Sequence, residues 1–233
     1  MASHSKPLAT SENDVDAFLA EVRRAPPPMR TDGRGRLIFA LDATMSRQPT
    51  WDMAQGLQMR MFEAASRHGG LDVQLVYFRG FDECRASPFV GEGRALMGFM
   101  SRIDCRSGNT QISKVLRHTR NEANVRRVGA LIFIGDAMEE NEADLFTLAG
   151  ELGLLGTKVF IFQEGNAPRP ASIFREIARL TGGAYAHFDA SAPAHLAALL
   201  AAAAAYAAGG RAALEKQALE GASAARMLLA QVG

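Results

Sequence analysis

Two aspartates stand directly after apolar runs, where a strand would end: Asp42 in Leu41-Asp42-Ala43-Thr44-Met45-Ser46, and Asp136 in Ile134-Gly135-Asp136. Thr44 and Ser46 set two hydroxyls beside the first carboxylate. A third segment, Ser107-Gly108-Asn109-Thr110-Gln111-Ile112, reads as a loop leading into a helix and adds the hydroxyl of Thr110. Two carboxylates and three hydroxyls, with no His or Cys among them, form a hard oxygen donor set. Such a set suits Mg²⁺ or Mn²⁺, with waters completing an octahedron. Each residue also has a plainer use: an Asp at a strand end caps a helix or closes a turn, and Thr110 could be the N-cap of the adjoining helix. What favours a metal is the convergence of three separated segments on one edge.

That convergence depends on the elements that carry them. Leu37 to Leu41 is a continuous apolar run, short enough for a strand buried on both faces, and similar runs span 73–78, 130–134, 159–162 and 184–188. Helical patterns at 50–67, 93–103, 111–123, 140–155 and 171–180 lie between them, with Gly69-Gly70, Gly156 and Gly182-Gly183 as C-terminal stops. Strands alternating with helices imply right-handed crossovers and a mostly parallel sheet. Residues 83–90 come after the second strand with only the turn Gly80 to Asp82 between, so they pair antiparallel with it. The expected fold is therefore α/β and doubly wound: six strands, one of them antiparallel at an edge, with helices on both faces.

In such a sheet, ligands bind beyond the carboxyl ends of the strands, where neighbouring connections diverge to opposite faces. If the first strand and the strand at 130–134 are neighbours there, Asp42 and Asp136 face one crevice. The helix at 111–123 feeds the strand ending near Asp136 and must run antiparallel to it. Its N-terminus, with Thr110, then lies at the same edge.

The order and spacing of these motifs resemble a von Willebrand factor A (vWA) domain over residues 36–190. Asp42-Ala43-Thr44-Met45-Ser46 resembles that family's Asp-x-Ser/Thr-x-Ser motif, Gly108-Asn109-Thr110 its Gly-Gly-Thr loop, and Gly135-Asp136-Ala137 its Thr-Asp-Gly segment. Leu180-Thr181-Gly182-Gly183-Ala184-Tyr185 resembles the family's approach to its last strand. The resemblance implies a metal ion-dependent adhesion site in which Asp42, Thr44, Ser46, Thr110 and Asp136 hold Mg²⁺ (or Mn²⁺), directly or through water. The Asp or Glu carboxylate of a protein partner would fill the open position. Met45, Asn109 and Ala137 depart from the family pattern, yet none removes a ligand. The rim would comprise Arg47, Trp51, Gln111, Glu139 and Glu140. Trp51 is either an interface anchor or packed beneath its helix, and Glu139-Glu140 would meet the positive end of the helix they begin.

The implied function is a metal-dependent protein-binding module rather than an enzyme, of the kind that in bacteria works beside AAA+ ATPases. A Mg²⁺-dependent phosphate-handling hydrolase is the alternative from another class. It lacks a Gly-rich Lys-Ser/Thr loop and a second aspartate two residues after Asp42. A metal-free interaction scaffold is the third reading.

Composition bounds these readings. The chain has 233 residues, 48% hydrophobic and 22% charged, with a formal net charge of +1. That suits one large soluble domain and offers no global field for nucleic acid. Cys84 and Cys105 lack metal-site spacing and read as reduced thiols. Met1 to Thr10 is polar, without the apolar stretch of a signal peptide, which points to the cytoplasm. Residues 1–35 read as a leader with a docking helix at Asp14 to Val22. The alanine-rich run Leu196 to Ala208 reads as a helix packed on the domain, too short to span a membrane. After Gly209-Gly210, Arg211 to Gln231 reads as one last helix within an alanine-rich C-terminal region, 191–233.

Overall fold

The computed structural model describes residues 33–44 and 48–233. The docking helix expected at 14–22 and the residues Met45, Ser46 and Arg47 lie outside the described residues.

The first strand, β1 (Gly35–Asp42), is buried along its whole length, as a continuous apolar run requires. The others are β2 (Leu71–Arg79), β3 (Glu83–Val90), β4 (Ala130–Gly135), β5 (Lys158–Glu164) and β6 (Ala184–Phe188). They form one sheet in the order β3-β2-β1-β4-β5-β6, in which only the β2–β3 pair is antiparallel. The doubly wound, mostly parallel sheet with one reversed edge strand is thus the fold of the chain. Side chains alternate across β1 because successive residues point to opposite faces. Leu37, Phe39 and Leu41 enter one core, and Ile38 and Ala40 the other.

Seven helices are present among the described residues: α1 (Gln48–Ser66), α2 (Gly93–Met100), α3 (Ile112–Val125), α4 (Glu142–Leu154), α5 (Pro168–Thr181), α6 (Pro193–Leu219) and α7 (Ser223–Leu229). The first core holds Trp51, Ala54 and Met61 of α1, Leu96 of α2, Leu196 and Leu199 of α6, and Leu228 of α7. Val115 of α3, Leu145 of α4 and Phe174 of α5 pack in the second. The chain therefore leaves β1 toward one face and β4 toward the other. The boundary between β1 and β4 is the topological switch point.

The C-terminal region departs from its expected form. Helix α6 runs well past the Leu196 to Ala208 segment and contains Gly210 at φ 67, ψ −159, a kink that L side chains rarely adopt. The single helix expected over Arg211 to Gln231 is instead two pieces, because Gly221 (φ 101) stops α6 before α7 begins. By length and apolar composition α6 could cross a bilayer, contrary to the shorter expectation. However, 56% of its apolar window is buried within this fold. A Cβ on Gly35 would lie 2.2 Å from the carbonyl oxygen of Ala207, so α6 approaches the start of β1 too closely for any side chain there.

Candidate functional site

Asp42 closes β1 and is only 5% exposed. Its Oδ1 accepts the backbone N–H of Thr44 at 2.7 Å, a turn that holds the buried Thr44 just past the strand. Between them, the N–H of Ala43 donates to the Phe78 carbonyl (2.9 Å), and the Ala43 carbonyl accepts from the Arg106 N–H (2.9 Å). The loop after β1 is thereby tied to the end of β2 and to the segment preceding α3. Ser46 is not among the described residues.

The second loop is fixed by close backbone contact. Asn109 N–H donates to the Gly80 carbonyl at 3.1 Å, and the Gln111 Nε2 donates to the Arg79 carbonyl at 3.1 Å. A Cβ on Gly108 would fall 2.1 Å from a Gly80 oxygen, so the glycine of the Gly108-Asn109-Thr110 motif is required by packing. Thr110, 8% exposed, donates its hydroxyl to Glu139 Oε2 at 2.6 Å and its backbone N–H to the same oxygen at 3.2 Å. Glu139 N–H returns a long contact to Thr110 Oγ1 at 3.4 Å, which leaves one hydroxyl lone pair to face elsewhere.

Two expectations are corrected here. Thr110 is not the N-cap of α3: Gln111 occupies that position and makes no side-chain cap bond. Nor do Glu139 and Glu140 sit at the start of their own helix. Asn141 caps α4, accepting from Ala143 and Asp144, while Glu140 reaches across to the N-terminus of α3 and accepts from Ile112 N–H and, at 3.0 Å, Ser113 N–H. The pair does meet a positive helix end, but that of α3. No sequence periodicity could have revealed this, since the contact joins residues 28 apart across β4.

Asp136 comes directly after the last residue of β4. The register pairs Leu41 with Ile134, so Asp42 lies across from Gly135 and Asp136 comes one step beyond. Asp136 lines a depression of about 270 Å³ with Glu164, Gly165, Asp189 and Ala190, at the ends of three consecutive strands. Thr50, in the first turn of α1, donates its hydroxyl to Glu164. Cys105 reports the local field: burial first, and then the charges of Asp42 and Asp52, push its thiol up to about 11. The Cys84 thiol is likewise pushed to about 11, chiefly by burial, so neither is a thiolate near neutral pH.

Two of the five expected rim residues, Trp51 and Gln111, are buried. Trp51 is 1% exposed, donates Nε1–H to the Met100 carbonyl at 3.3 Å and meets Tyr77 edge to face at 6.4 Å, so it belongs to the core beneath α1. Gln111 is buried and spent on holding the β2–β3 turn. Arg47 lies outside the described residues, and Glu139 and Glu140 are engaged with Thr110 and α3. Among the described residues no three His, Cys, Asp or Glu side chains form a metal cluster. A cation at this edge would therefore rest on the mixed set of Asp42, Thr44, Thr110 and Asp136. Its buried carboxylate and hard hydroxyl oxygens fit Mg²⁺.

No protein-family model matches the sequence, and no curated protein matches it. Solved structures nevertheless share the fold. The VWA domain of SpRpn10 superposes with a TM-score of 0.56 at 10% identity, over 70% of this chain and 95% of that one. An aerotolerance-related membrane protein from Bacteroides fragilis gives 0.53 at 18% identity, over 69% and 95%. The vWF domain of the type V pili tip protein Mfa5 from Porphyromonas gingivalis gives 0.52 at 10%, over 73% and 94%. At these identities the likeness establishes a vWA-like fold.

Proposed function

We propose that this chain is a protein-binding module whose switch-point edge holds Mg²⁺ through Asp42, Thr44, Ser46, Thr110 and Asp136. The observation that carries the reading is the parallel pairing of β1 with β4, which sets Asp42 and Asp136 on adjoining strand ends. The bonds from Arg106 to Ala43 and from Thr110 to Glu139 draw the third loop to both. When bound, the ion would supply a positive coordination position open to a partner's Asp or Glu carboxylate. The chain's own groups do the rest: Asp42 offers a buried charge, Thr44 and Thr110 offer hydroxyl lone pairs, and Glu139 orients the Thr110 hydroxyl.

Binding is favoured over phosphoryl chemistry by where the nearby bases are. Lys114 is held by Asp82 and Gln111, and His118 is bonded to Gln74 along α3. The solved structures of similar fold include the vWF domain of a type V pili tip protein, which supports a protein-binding use of the fold. The partner, in this reading, is a cytoplasmic protein such as a component of an AAA+ ATPase complex, rather than nucleic acid or membrane.

Mn²⁺ titration followed by electron paramagnetic resonance tests the metal directly. One saturable site that Mg²⁺ displaces is expected, and a free-ion signal undiminished by protein would refute the proposal.

A further inference from the structure

The turn joining β2 to β3 carries Phe81, 83% exposed, between Gly80 and Asp82. Hairpin turns favour small and polar residues, and this ring packs on nothing that would require it there. The turn is nevertheless fastened on both sides. The Gly80 carbonyl accepts from Asn109 N–H (3.1 Å) and Gln111 Nε2–H (3.4 Å), and the Asp82 carbonyl accepts from Lys114 Nζ (2.9 Å). Asn109 and Gln111 flank Thr110, so the turn that holds this aromatic ring in water is fastened to the loop of a candidate metal ligand. A preorganised aromatic gives large contact area at small entropic cost, the usual character of an interface hot spot.

Charge defines what could lie across it. The backbone N–H of Arg106 is bonded to Ala43, next to Asp42, while its side chain is exposed and makes no ion pair among the described residues. Glu83, two residues beyond Phe81, is held acidic first by its hydrogen bond from Arg79, and it also feels the Arg106 charge. Arg79 Nη1 donates to the Asp104 carbonyl at 2.7 Å, so the segment that carries Arg106 is tied both to the loop after Asp42 and to the end of β2 that leads into the Phe81 turn.

We infer that the surface formed by Phe81 and Arg106 reads the partner segment beside its metal-bound carboxylate, and that this segment is an acidic peptide with an apolar residue close to the carboxylate. The inference rests on the metal-dependent binding proposed above. The carboxylate engages the ion, a neighbouring acidic residue meets the Arg106 guanidinium, and the apolar side chain covers the Phe81 ring.

Selection of phage-displayed random dodecapeptides on the full chain in millimolar Mg²⁺ tests this, with Phe81→Ser and Arg106→Glu as comparison baits. Both residues are exposed, and unchanged thermal melts would show that both variants are folded. The parent should enrich sequences with an Asp or Glu near a large apolar residue, released by EDTA. Phe81→Ser should lose the apolar preference and weaken a selected peptide by about tenfold while keeping the Mg²⁺ requirement. Arg106→Glu should lose the preference for a second acidic residue. Acidic sequences without an apolar preference, or an apolar preference that persists on Phe81→Ser, would overturn the inference and leave the metal site standing. Failure to enrich any Mg²⁺-dependent acidic peptide would instead overturn the metal reading beneath it.

Discussion

Thr110 shows how a single hydroxyl can serve fold and site together. Its proton goes to Glu139 at 2.6 Å, which fixes the direction of the remaining lone pair. Thr110→Val keeps volume and β-branching but removes that bond, and because Glu139 is exposed, water can replace the lost donor. The expected cost is about 1 kcal/mol in thermal or urea unfolding in EDTA. The same variant should weaken Mn²⁺ binding clearly in a titration; binding equal to the parent's would remove Thr110 from the ligand set. Spacing alone made Asp42, Thr110 and Asp136 readable as candidates, because each ends or begins an element whose periodicity is plain. Glu139 was legible as a rim charge at a helix start, but its bond to Thr110 was not, since that partner lies 29 residues away. Trp51 stayed ambiguous in sequence for a different reason: a tryptophan suits either a core or an interface, and only its burial decides.

At the scale of elements, strands were more legible than helix ends. The runs at 83–90 and 184–188 match β3 and β6 residue for residue, because turn residues mark where each begins, Gly80 to Asp82 before β3 and Gly182-Gly183 before β6. The expectation of a single last helix failed because Gly221 adopts φ 101, a choice that glycine permits but does not announce. The chain beyond that break protects the sheet. The Gln231 side-chain amide donates to the Tyr185 carbonyl (3.1 Å) and accepts its N–H (3.0 Å), covering the open edge of β6 as another strand would. Gln231→Ala should cost about 1 kcal/mol and raise self-association in light scattering; unchanged melting and scattering would show the edge needs no cover. On the other face, burial holds His118 below its usual range beside Gln74 of β2, against an opposing effect from Glu122. The folded state therefore binds fewer protons than the unfolded chain. The resulting stability is full above the unfolded value near 6.5 and declines as pH falls below it. Melts from pH 7.5 down to 5 should fall less steeply for His118→Gln than for the parent, and identical slopes would exclude the residue.

Over the whole molecule, fold and sequence diverge widely: neighbours near 10% identity keep the same sheet. The two cores ask only for apolar residues in alternation, so many sequences satisfy them. Where the winding reverses, however, β1 and β4 must end side by side, and this chain places an aspartate at each end. Whether those carboxylates hold a cation is the central claim. An ion that binds only the folded state stabilises it by RT ln(1 + [L]/Kd), roughly 2.7 kcal/mol at about 100 times Kd. For a domain of this size each kcal/mol raises Tm by roughly 2–4 °C. The decisive measurement is therefore the thermal melt of parent and Asp136→Ala, each in EDTA and in saturating Mg²⁺. The parent should rise by several degrees with Mg²⁺ while Asp136→Ala does not respond. A parent indifferent to Mg²⁺, or an Asp136→Ala variant destabilised in EDTA whose Mg²⁺ response equals the parent's, would contradict it.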